Sequence, residues 1–231
     1  MRGPGWVEVA LFAVGFALSG LVLLALAWSG EGAYVSIARA NGVSDAPFVD
    51  HDNGGVAVID LGTLALHHRL WSAYVTGGTT EPPSLGDVYT ADETRHMADV
   101  RRVFDGAKLL VPVGMFVIAI RLQRARARSL DAMLRLARNG AIAAAIAVAA
   151  VGVAAAIAFE PLFLLFHYVF FPQGNFLFDP ATSNLVRLYP DWYWEGMTLR
   201  IGLSFIALAA AVAVATTIGL RRARSTRLAS A

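Results

Sequence analysis

Cysteine is absent from this chain of 231 residues. Disulfides, thiolate metal sites, thiol nucleophiles and thioester intermediates on the protein are therefore excluded together. Lysine is nearly absent as well, because Lys108 is the single lysine among the 19 basic residues, and the formal net charge is only +2. Any covalent or proton-transfer chemistry on this chain must therefore use other side chains.

Motifs of several common enzyme classes are also missing. The sequence has no HExxH zinc motif, no GxSxG turn for a nucleophilic serine and no GxxxxGKS/T phosphate loop. The serines in the polar segments carry no supporting signature of a nucleophile. We therefore expect neither a bound cofactor nor a serine nucleophile.

Hydrophobic residues make up 57% of the chain, and the mean hydropathy is +0.57, which exceeds what a soluble globular protein normally carries. The pattern predicts an all-α membrane protein, a single membrane domain over residues 1–231. Trp6 and Trp28 bound the first apolar run as interfacial anchors, which favours a retained helix over a cleaved signal peptide. The predicted spans cover residues 6–28, 103–121, 139–166 and 199–220.

Arginines cluster in two segments, one between the second and third spans and one after the fourth. The positive-inside rule places both segments, and with them both termini, in the cytoplasm. In a bacterial cytoplasmic membrane, residues 30–102 then form an extracytoplasmic cap, and residues 167–198 form a second outer loop. Because membrane orientation accounts for the arginines, nucleic acid is not an expected partner, whereas membrane lipid is.

Two helices are predicted in the cap region. Val56 to Thr76 has apolar residues at helical spacing, and His67 and His68 on this helix are expected to be solvated. Thr90 and Glu93 have the spacing of a capping box. They predict the start of a helix that continues into the second span.

All five histidines fall on the predicted outer side, and two of them reach a similar height. His96 lies 25 residues before the cytoplasmic Arg121, and His167 lies 29 residues after the cytoplasmic Arg138. At about 1.5 Å per residue, these separations correspond to roughly 38 and 43 Å along straight helices. We therefore expect the two imidazoles to meet just above the outer boundary of the bilayer.

Carboxylates flank the first of these histidines. Glu93 and Asp99 lie three residues on either side of His96 and share its helical face, where a carboxylate can orient an imidazole. The alternative is an ordinary solvated helix in which Arg95 pairs with Asp99.

The second histidine follows an apolar run and precedes a polar turn. Burial of His167 among its neighbours would desolvate the ring, although a histidine that merely bonds a backbone carbonyl remains the alternative. Asn175 and Asp179 follow in the turn as candidates for positioning a substrate. Glu160, at membrane depth, is open between a functional role and pairing with Arg200. The aromatic neighbours are Phe163, Phe166, Phe170 and Phe171.

Two segments together resemble the lipoprotein intramolecular transacylase family, a group of Lit-like bacterial integral membrane proteins. They are ETRHMADV at Glu93–Val100, and FHYVFF at Phe166–Phe171 followed by NFLFDP at Asn175–Pro180. The likeness includes four spans with a large loop after the first, and it covers about residues 85–200. Phe176 stands where the family's turn would have a tryptophan.

The resemblance implies a specific acyl transfer, with His96 and His167 as the catalytic pair. The sn-2 acyl chain of the diacylglyceryl group on a lipoprotein's N-terminal cysteine would move to the α-amino group of that cysteine, which gives a lyso-form lipoprotein. In this reaction we assign His167 as base, His96 as acid or oxyanion donor, and Asn175 as an oxyanion or amine positioner. The partner would be a diacylated bacterial lipoprotein, and a monomer is favoured. Further expected roles are orientation by Glu93, Asp99 and Asp179, and acyl-chain lining by Phe163, Phe166, Phe170 and Phe171.

Two functions of other classes stay open on the residues alone. A non-catalytic sensor or assembly protein would use the cap as a binding surface. A metal-dependent membrane hydrolase would take its ligands from His96, His167, Asp99 and Glu93.

Overall fold

The structure, a computed structural model, describes residues 4–51 and 53–229. Four helices in this part of the chain are long and apolar enough to cross a membrane, namely the first, fourth, fifth and eighth. The all-α membrane class is thereby confirmed, with one small hairpin added. In chain order the elements are α1 (Trp6–Trp28), α2 (Glu31–Ala40), β1 (Asp45–Val49), β2 (Val56–Asp60), α3 (Leu61–Val75), α4 (Ala91–Arg128), α5 (Leu130–Ile157), α6 (Phe159–Phe170), α7 (Asn184–Leu188) and α8 (Asp191–Ala229).

Parts of the four long helices form one compact unit, made of Met1–Leu24, Lys108–Ala156 and Arg200–Ala231. Small residues allow close approach between its helices, since a Cβ atom on Gly15 would lie 2.9 Å from the carbonyl oxygen of Gly114. Van der Waals contact between small residues is the usual way in which membrane helices pack, because lipid offers no hydrophobic gain for their association. The buried core of this unit includes Ala13, Ala141, Ala144, Phe205 and Ala209.

A second compact unit consists of Ala25–Ala107 and Ile157–Leu199. Within it, the Asn184 side chain at the start of α7 binds the edge of β1, because its Oδ1 accepts from Val49 N at 2.8 Å and its Nδ2 donates to Val49 O at 2.9 Å. The Tyr34 hydroxyl on α2 donates to Leu188 O at 3.0 Å. These bonds join segments that are more than 130 residues apart in the sequence.

The predicted cap helix over Val56–Thr76 begins later than expected. Residues 56–60 instead form β2, which pairs antiparallel with β1, and α3 starts only at Leu61. The reason is local, since the Asp60 side chain accepts from Thr63 N at 2.7 Å and so caps the helix at that point. The alternating valines before it suit a strand.

The predicted third span, residues 139–166, is divided in the structure. Helix α5 ends at Ile157, Ala158 has φ −143° and ψ 57°, and the separate helix α6 begins at Phe159. Pro161 explains the break, because it has no N–H to donate to the carbonyl of Ile157 and its ring would clash there. His167 therefore lies on a helix of 12 residues that is too short to span a bilayer.

The start of α4 follows the capping-box prediction. Glu93 N donates to Thr90 Oγ1 at 3.2 Å, and Thr90 N donates to Glu93 Oε2 at 2.7 Å. The helix then continues without interruption to Arg128, so most of the arginine-rich connector is helical. His96 is consequently held on the second turn of a rigid element.

Candidate active site

His96 on α4 and His167 on α6 lie side by side in the second unit. Their ring centroids are 6.1 Å apart, and the ring planes differ by only 19°. The predicted meeting of the two histidines is therefore observed. Two parallel imidazoles at this spacing can serve a single substrate, one as proton acceptor and the other as proton donor.

Aromatic rings enclose the pair. Phe171 lies 4.8 Å from His96 and 5.4 Å from His167 between ring centroids, and Phe176 lies 5.1 Å from His167. Phe163, one turn before His167 on α6, approaches it to 4.2 Å. The two titratable rings thus lie in largely aromatic surroundings.

The four phenylalanines predicted to line acyl chains divide into two kinds. Phe171 is buried, with 2% of its surface exposed, and Phe163 is half-buried. Phe166 and Phe170 are 44% and 49% exposed, and their rings contact each other in a tilted arrangement at 4.6 Å between centroids. Phe166 also contacts His167 edge to face at 5.5 Å, so three of the four rings pack against the histidine pair, while Phe166 and Phe170 in addition present exposed apolar surface.

The hydrogen bond of His167 fixes its tautomer. Its Nδ1 lies 2.8 Å from the carbonyl oxygen of Phe163, and because a carbonyl can only accept, Nδ1 must carry the proton. In the neutral ring, Nε2 then holds a lone pair. Burial lowers the pKa of His167, and the bond to Phe163 only partly opposes this effect. The ring is therefore neutral and basic at Nε2 near pH 7.

Side chains from the turn after α6 donate hydrogen bonds to Asp99. Its Oδ2 accepts from Asn175 Nδ2 at 2.5 Å and from Gln173 Nε2 at 2.7 Å. Its Oδ1 pairs with Arg102 at 2.5 Å. The predicted alternative pairing of Asp99 with Arg95 does not occur, since Arg95 pairs with Asp92 instead.

Two buried polar atoms lie in this region without a hydrogen bond of ordinary geometry. They are His96 Nδ1 and Asn175 Oδ1, although the Asn175 side chain lies beside the His96 ring. Buried polar groups are nearly always paired. These two atoms belong to neighbouring side chains, and each keeps unused hydrogen-bonding capacity.

Glu93 has a different set of partners from the one expected of an orienting carboxylate. Its Oε1 accepts from Ser183 Oγ at 2.6 Å and from Leu185 N at 2.7 Å, while its Oε2 binds Thr90. These contacts attach the start of α7 to the start of α4. The hydrogen bonds of Glu93 therefore hold the loop before α7 and cap the start of α4.

The other two acidic candidates are exposed. Asp179 accepts from Ala181 N at 2.8 Å and shapes the turn before α7. Glu160 lies on the first turn of α6. The contact of Asp179 therefore shapes a turn and does not reach the histidine pair.

The expectation that His67 and His68 are solvated was wrong. Both are buried in an aromatic cluster, where His67 Nδ1 lies 3.0 Å from the Tyr89 hydroxyl and His68 Nε2 lies 3.0 Å from Ser29 O. His68 also stacks on Tyr34 at 4.7 Å. Burial lowers the pKa of His67, and it lowers the pKa of His68 to about 4. The tyrosines that bury these rings come from distant segments, which helical periodicity within α3 cannot indicate.

A metal site finds no support in the ligand geometry. Over residues 4–51 and 53–229, no three side chains of histidine, cysteine, aspartate or glutamate are grouped so that they could hold an ion. Glu93 and Asp99 are each engaged by other partners, as described above. The arrangement favours proton transfer by two imidazoles.

Comparison with known proteins gives a family match. The family model described as lipoprotein intramolecular transacylase Lit matches residues 63–194, which is more than half of the chain. No curated protein sequence matches. The chain is also similar to the in meso structure of the membrane integral lipoprotein intramolecular transacylase Lit from Bacillus cereus, with a TM-score of 0.72, 15% identity, and coverage of 95% of this chain and 97% of that one.

Two variants of the same Bacillus cereus protein are similar as well. In one a histidine is replaced by arginine, with a TM-score of 0.67, and in the other it is replaced by alanine, with a TM-score of 0.68. Both are 15% identical to this chain and cover 95% of it, and the chain covers 93% and 94% of them. At this identity the likeness shows a shared fold.

Proposed function

This chain belongs to the lipoprotein intramolecular transacylase family, Lit, and we propose how it moves an acyl group. It is a membrane integral acyltransferase with four apolar helices. The acyl group is the sn-2 chain of the diacylglyceryl moiety on a lipoprotein's N-terminal cysteine, and its acceptor is the α-amino group of the same cysteine. The product is a lyso-form lipoprotein.

The observation that carries the proposed mechanism is the parallel pair His96 and His167, 6.1 Å apart in an apolar enclosure. In the reaction the amine nitrogen attacks the ester carbonyl, a C–N bond forms and the C–O bond to glycerol breaks. The amine loses one proton, and the departing glycerol oxygen gains one. Two imidazoles meet these two demands, and each contributes about 10²–10⁴-fold.

His167 is the base in this mechanism. The Phe163 carbonyl holds its Nδ1–H, so Nε2 is free to take the proton of the attacking amine. The lowered pKa keeps that nitrogen unprotonated near neutral pH. His96 is the second proton group: once the proton that His167 takes from the amine reaches His96 Nε2, His96 donates that proton to the departing glycerol oxygen.

No nucleophile from the enzyme is required, because acceptor and ester belong to one molecule. Holding them in a ring-like pose contributes through proximity, for which effective molarities reach about 10⁵–10⁸ M in well-oriented cases. Phe166 and Phe170 provide exposed apolar surface for an acyl chain next to the pair. This reaction also suits a chain without cysteine.

We also propose on which side of the membrane the reaction takes place. The arginine-rich segments between and after the spans favour cytoplasmic termini in a bacterial cytoplasmic membrane, with the histidine pair at the outer leaflet. A diacylated lipoprotein would then reach the site sideways from the bilayer. Every group named above comes from one chain, so a monomer holds the complete pair.

The test replaces each histidine in turn. His96→Ala and His167→Ala should each lower the formation of lyso-lipoprotein at least about 10²-fold, as measured by mass spectrometry of the N-terminal peptide of a diacylated lipoprotein in membranes. His51→Ala is the matched control, because this histidine lies between β1 and β2, outside the pair. Undiminished activity of either of the first two variants would refute the assigned pair.

A further inference from the structure

We infer that Asp99 and Gln173 fix the side-chain amide of Asn175, and that Asn175 thereby determines which nitrogen of His96 carries the proton. The inference deepens the proposed function, since it rests on His96 as the second proton group of the pair. Asp99, Gln173 and Asn175 are positioning residues in this account. They act through His96.

The first step is the surroundings of the Asp99 carboxylate. It is 8% exposed, and two primary amides donate to the same oxygen, Asn175 Nδ2 at 2.5 Å and Gln173 Nε2 at 2.7 Å. Arg102 binds the other oxygen. Three donors converge on one buried carboxylate, which is how such a charge is held stably.

The second step is the direction of the Asn175 amide. A carboxylate can only accept, so the NH₂ group must face Asp99 and the carbonyl must face away from it. The assignment of Oδ1 and Nδ2 is therefore set by chemistry, because the reversed amide would place two acceptors against each other. Asn175 Oδ1 is left as a buried acceptor without a partner.

The third step concerns the His96 tautomer. Its Nδ1 is the other buried atom without an ordinary hydrogen bond, and the Asn175 side chain lies beside this ring. A fixed amide oxygen beside the ring favours a proton on Nδ1, the ring nitrogen that is buried without another partner, so Nε2 becomes the nitrogen that exchanges protons with the substrate. His167 is fixed in the same sense by Phe163 O. In both rings of the pair, Nε2 is then the nitrogen that faces the substrate.

A turn explains why two amides reach one carboxylate. Gly174 N donates to Phe171 O at 3.0 Å, and Gly174 has φ +78°, a conformation that favours glycine. This reversal of the chain brings the side chains on either side of Gly174 to Asp99. Gln173 therefore joins the site through a turn of the type Pro-Gln-Gly-Asn, which the sequence prediction passed over.

The direct test is ¹⁵N NMR of the histidine rings in the full-length protein in detergent micelles, with His96 assigned by comparison with His96→Gln. We expect Nδ1–H in the wild type. Asp99→Asn should give a mixture of tautomers and lower kcat by about 10–100-fold, the range known for losing the partner of a metal-bound histidine, with KM little changed. Asp92→Asn, on the same helix and in an exposed ion pair, is the control and should change neither.

A residue exchange separates orientation from simple loss of structure. Asn175→Asp alone places two carboxylates together and should be inactive. The double variant with Asp99→Asn restores one amide and one carboxylate in contact, and it should recover most of the lost kcat. The low-pH limb of the kcat profile of this double variant should move to higher pH, because a carboxylate next to an imidazole favours the charged ring.

Several results would overturn the inference. A wild-type His96 protonated at Nε2 would do so, as would an Asp99→Asn protein with unchanged tautomer and kcat, or a double variant as inactive as Asn175→Asp. If Asp99→Asn does not fold, Gln173→Met at an exposed position decides, with a smaller fall in kcat expected and an unchanged kcat as refutation. If the tautomer is as expected but His96→Ala is active, the proposed function fails and the amide arrangement stands.

Discussion

Removal of the Glu93 carboxylate should detach the segment that carries α7 from the start of α4. This side chain is 1% exposed and accepts four hydrogen bonds, from Ser183 Oγ, Leu185 N, and the N and Oγ1 atoms of Thr90. In Glu93→Ala the two hydroxyls can rotate to other acceptors. The two backbone N–H groups, of Leu185 and Thr90, cannot.

The magnitude follows from those two donors. A buried donor left without a partner costs about 1–3 kcal/mol; this applies in full to Leu185 N, whereas the part-buried Thr90 N adds about 1 kcal/mol at most, so the loss is about 1–4 kcal/mol. For a protein of this size, 1 kcal/mol corresponds to about 2–4 °C, and the expected fall in unfolding temperature is therefore about 2–16 °C. Glu93→Gln keeps the volume, but its NH₂ group must face one of the two donor sets, so about half of the loss is expected.

The assay is thermal unfolding of the purified protein in detergent micelles, with Asp92→Ala as matched control. Asp92 precedes Glu93 on the helix, but its ion pair with Arg95 is exposed, and such pairs contribute at most about 1 kcal/mol. Proteolysis of the 172–190 segment should become faster in Glu93→Ala. If Glu93→Ala unfolds no earlier than Asp92→Ala, the structural role of the carboxylate is refuted.

Three further predictions concern the buried rings. Because burial lowers the pKa of His167, an NMR titration of this ring in the substrate-free protein should give a pKa below the ordinary histidine value of about 6.5; a higher pKa would contradict the assignment of His167 as base. Phe171→Ala should destabilise the protein by about 3–5 kcal/mol and depress activity, whereas Phe170→Ala, at a half-exposed position, should leave the unfolding temperature nearly unchanged; equal shifts would contradict the division of the aromatic set. The pKa of His68 is about 4 in the folded chain, so the unfolded chain takes up its proton first and stability should fall by about 3 kcal/mol between pH 6.5 and 4; a His68→Phe protein should show a flatter pH dependence, and an unchanged slope would argue against this.

The proximity of His96 and His167 was predictable because it depends on residue counts that can be read from the sequence. The rise of a helix is constant, and the arginines give both helices a common starting height. His96 and His167 therefore had to reach similar levels. The break at Ala158 interrupts the second helix, and the two rings nevertheless lie 6.1 Å apart.

The partners of the flanking carboxylates were not predictable in the same way. Helical spacing places Glu93 and Asp99 on the face of His96, but it does not identify which distant side chains occupy the space between. Ser183 lies 90 residues from Glu93, and Asn175 lies 76 residues from Asp99. Long-range contacts of this kind depend on tertiary packing.

The structure gives the His167 ring a neutral partner, and this suits the proposed reaction. An α-amino group has an ordinary pKa of about 7.7–8.0, so the amine of the substrate is partly protonated at neutral pH and requires a base that is itself uncharged. A carboxylate in direct contact would favour the imidazolium form and remove that base. The Phe163 carbonyl orients the ring without adding charge. Replacement of Phe163 by another apolar residue should therefore preserve the tautomer, whereas a carboxylate placed next to Nδ1 should move the acidic limb of activity to higher pH.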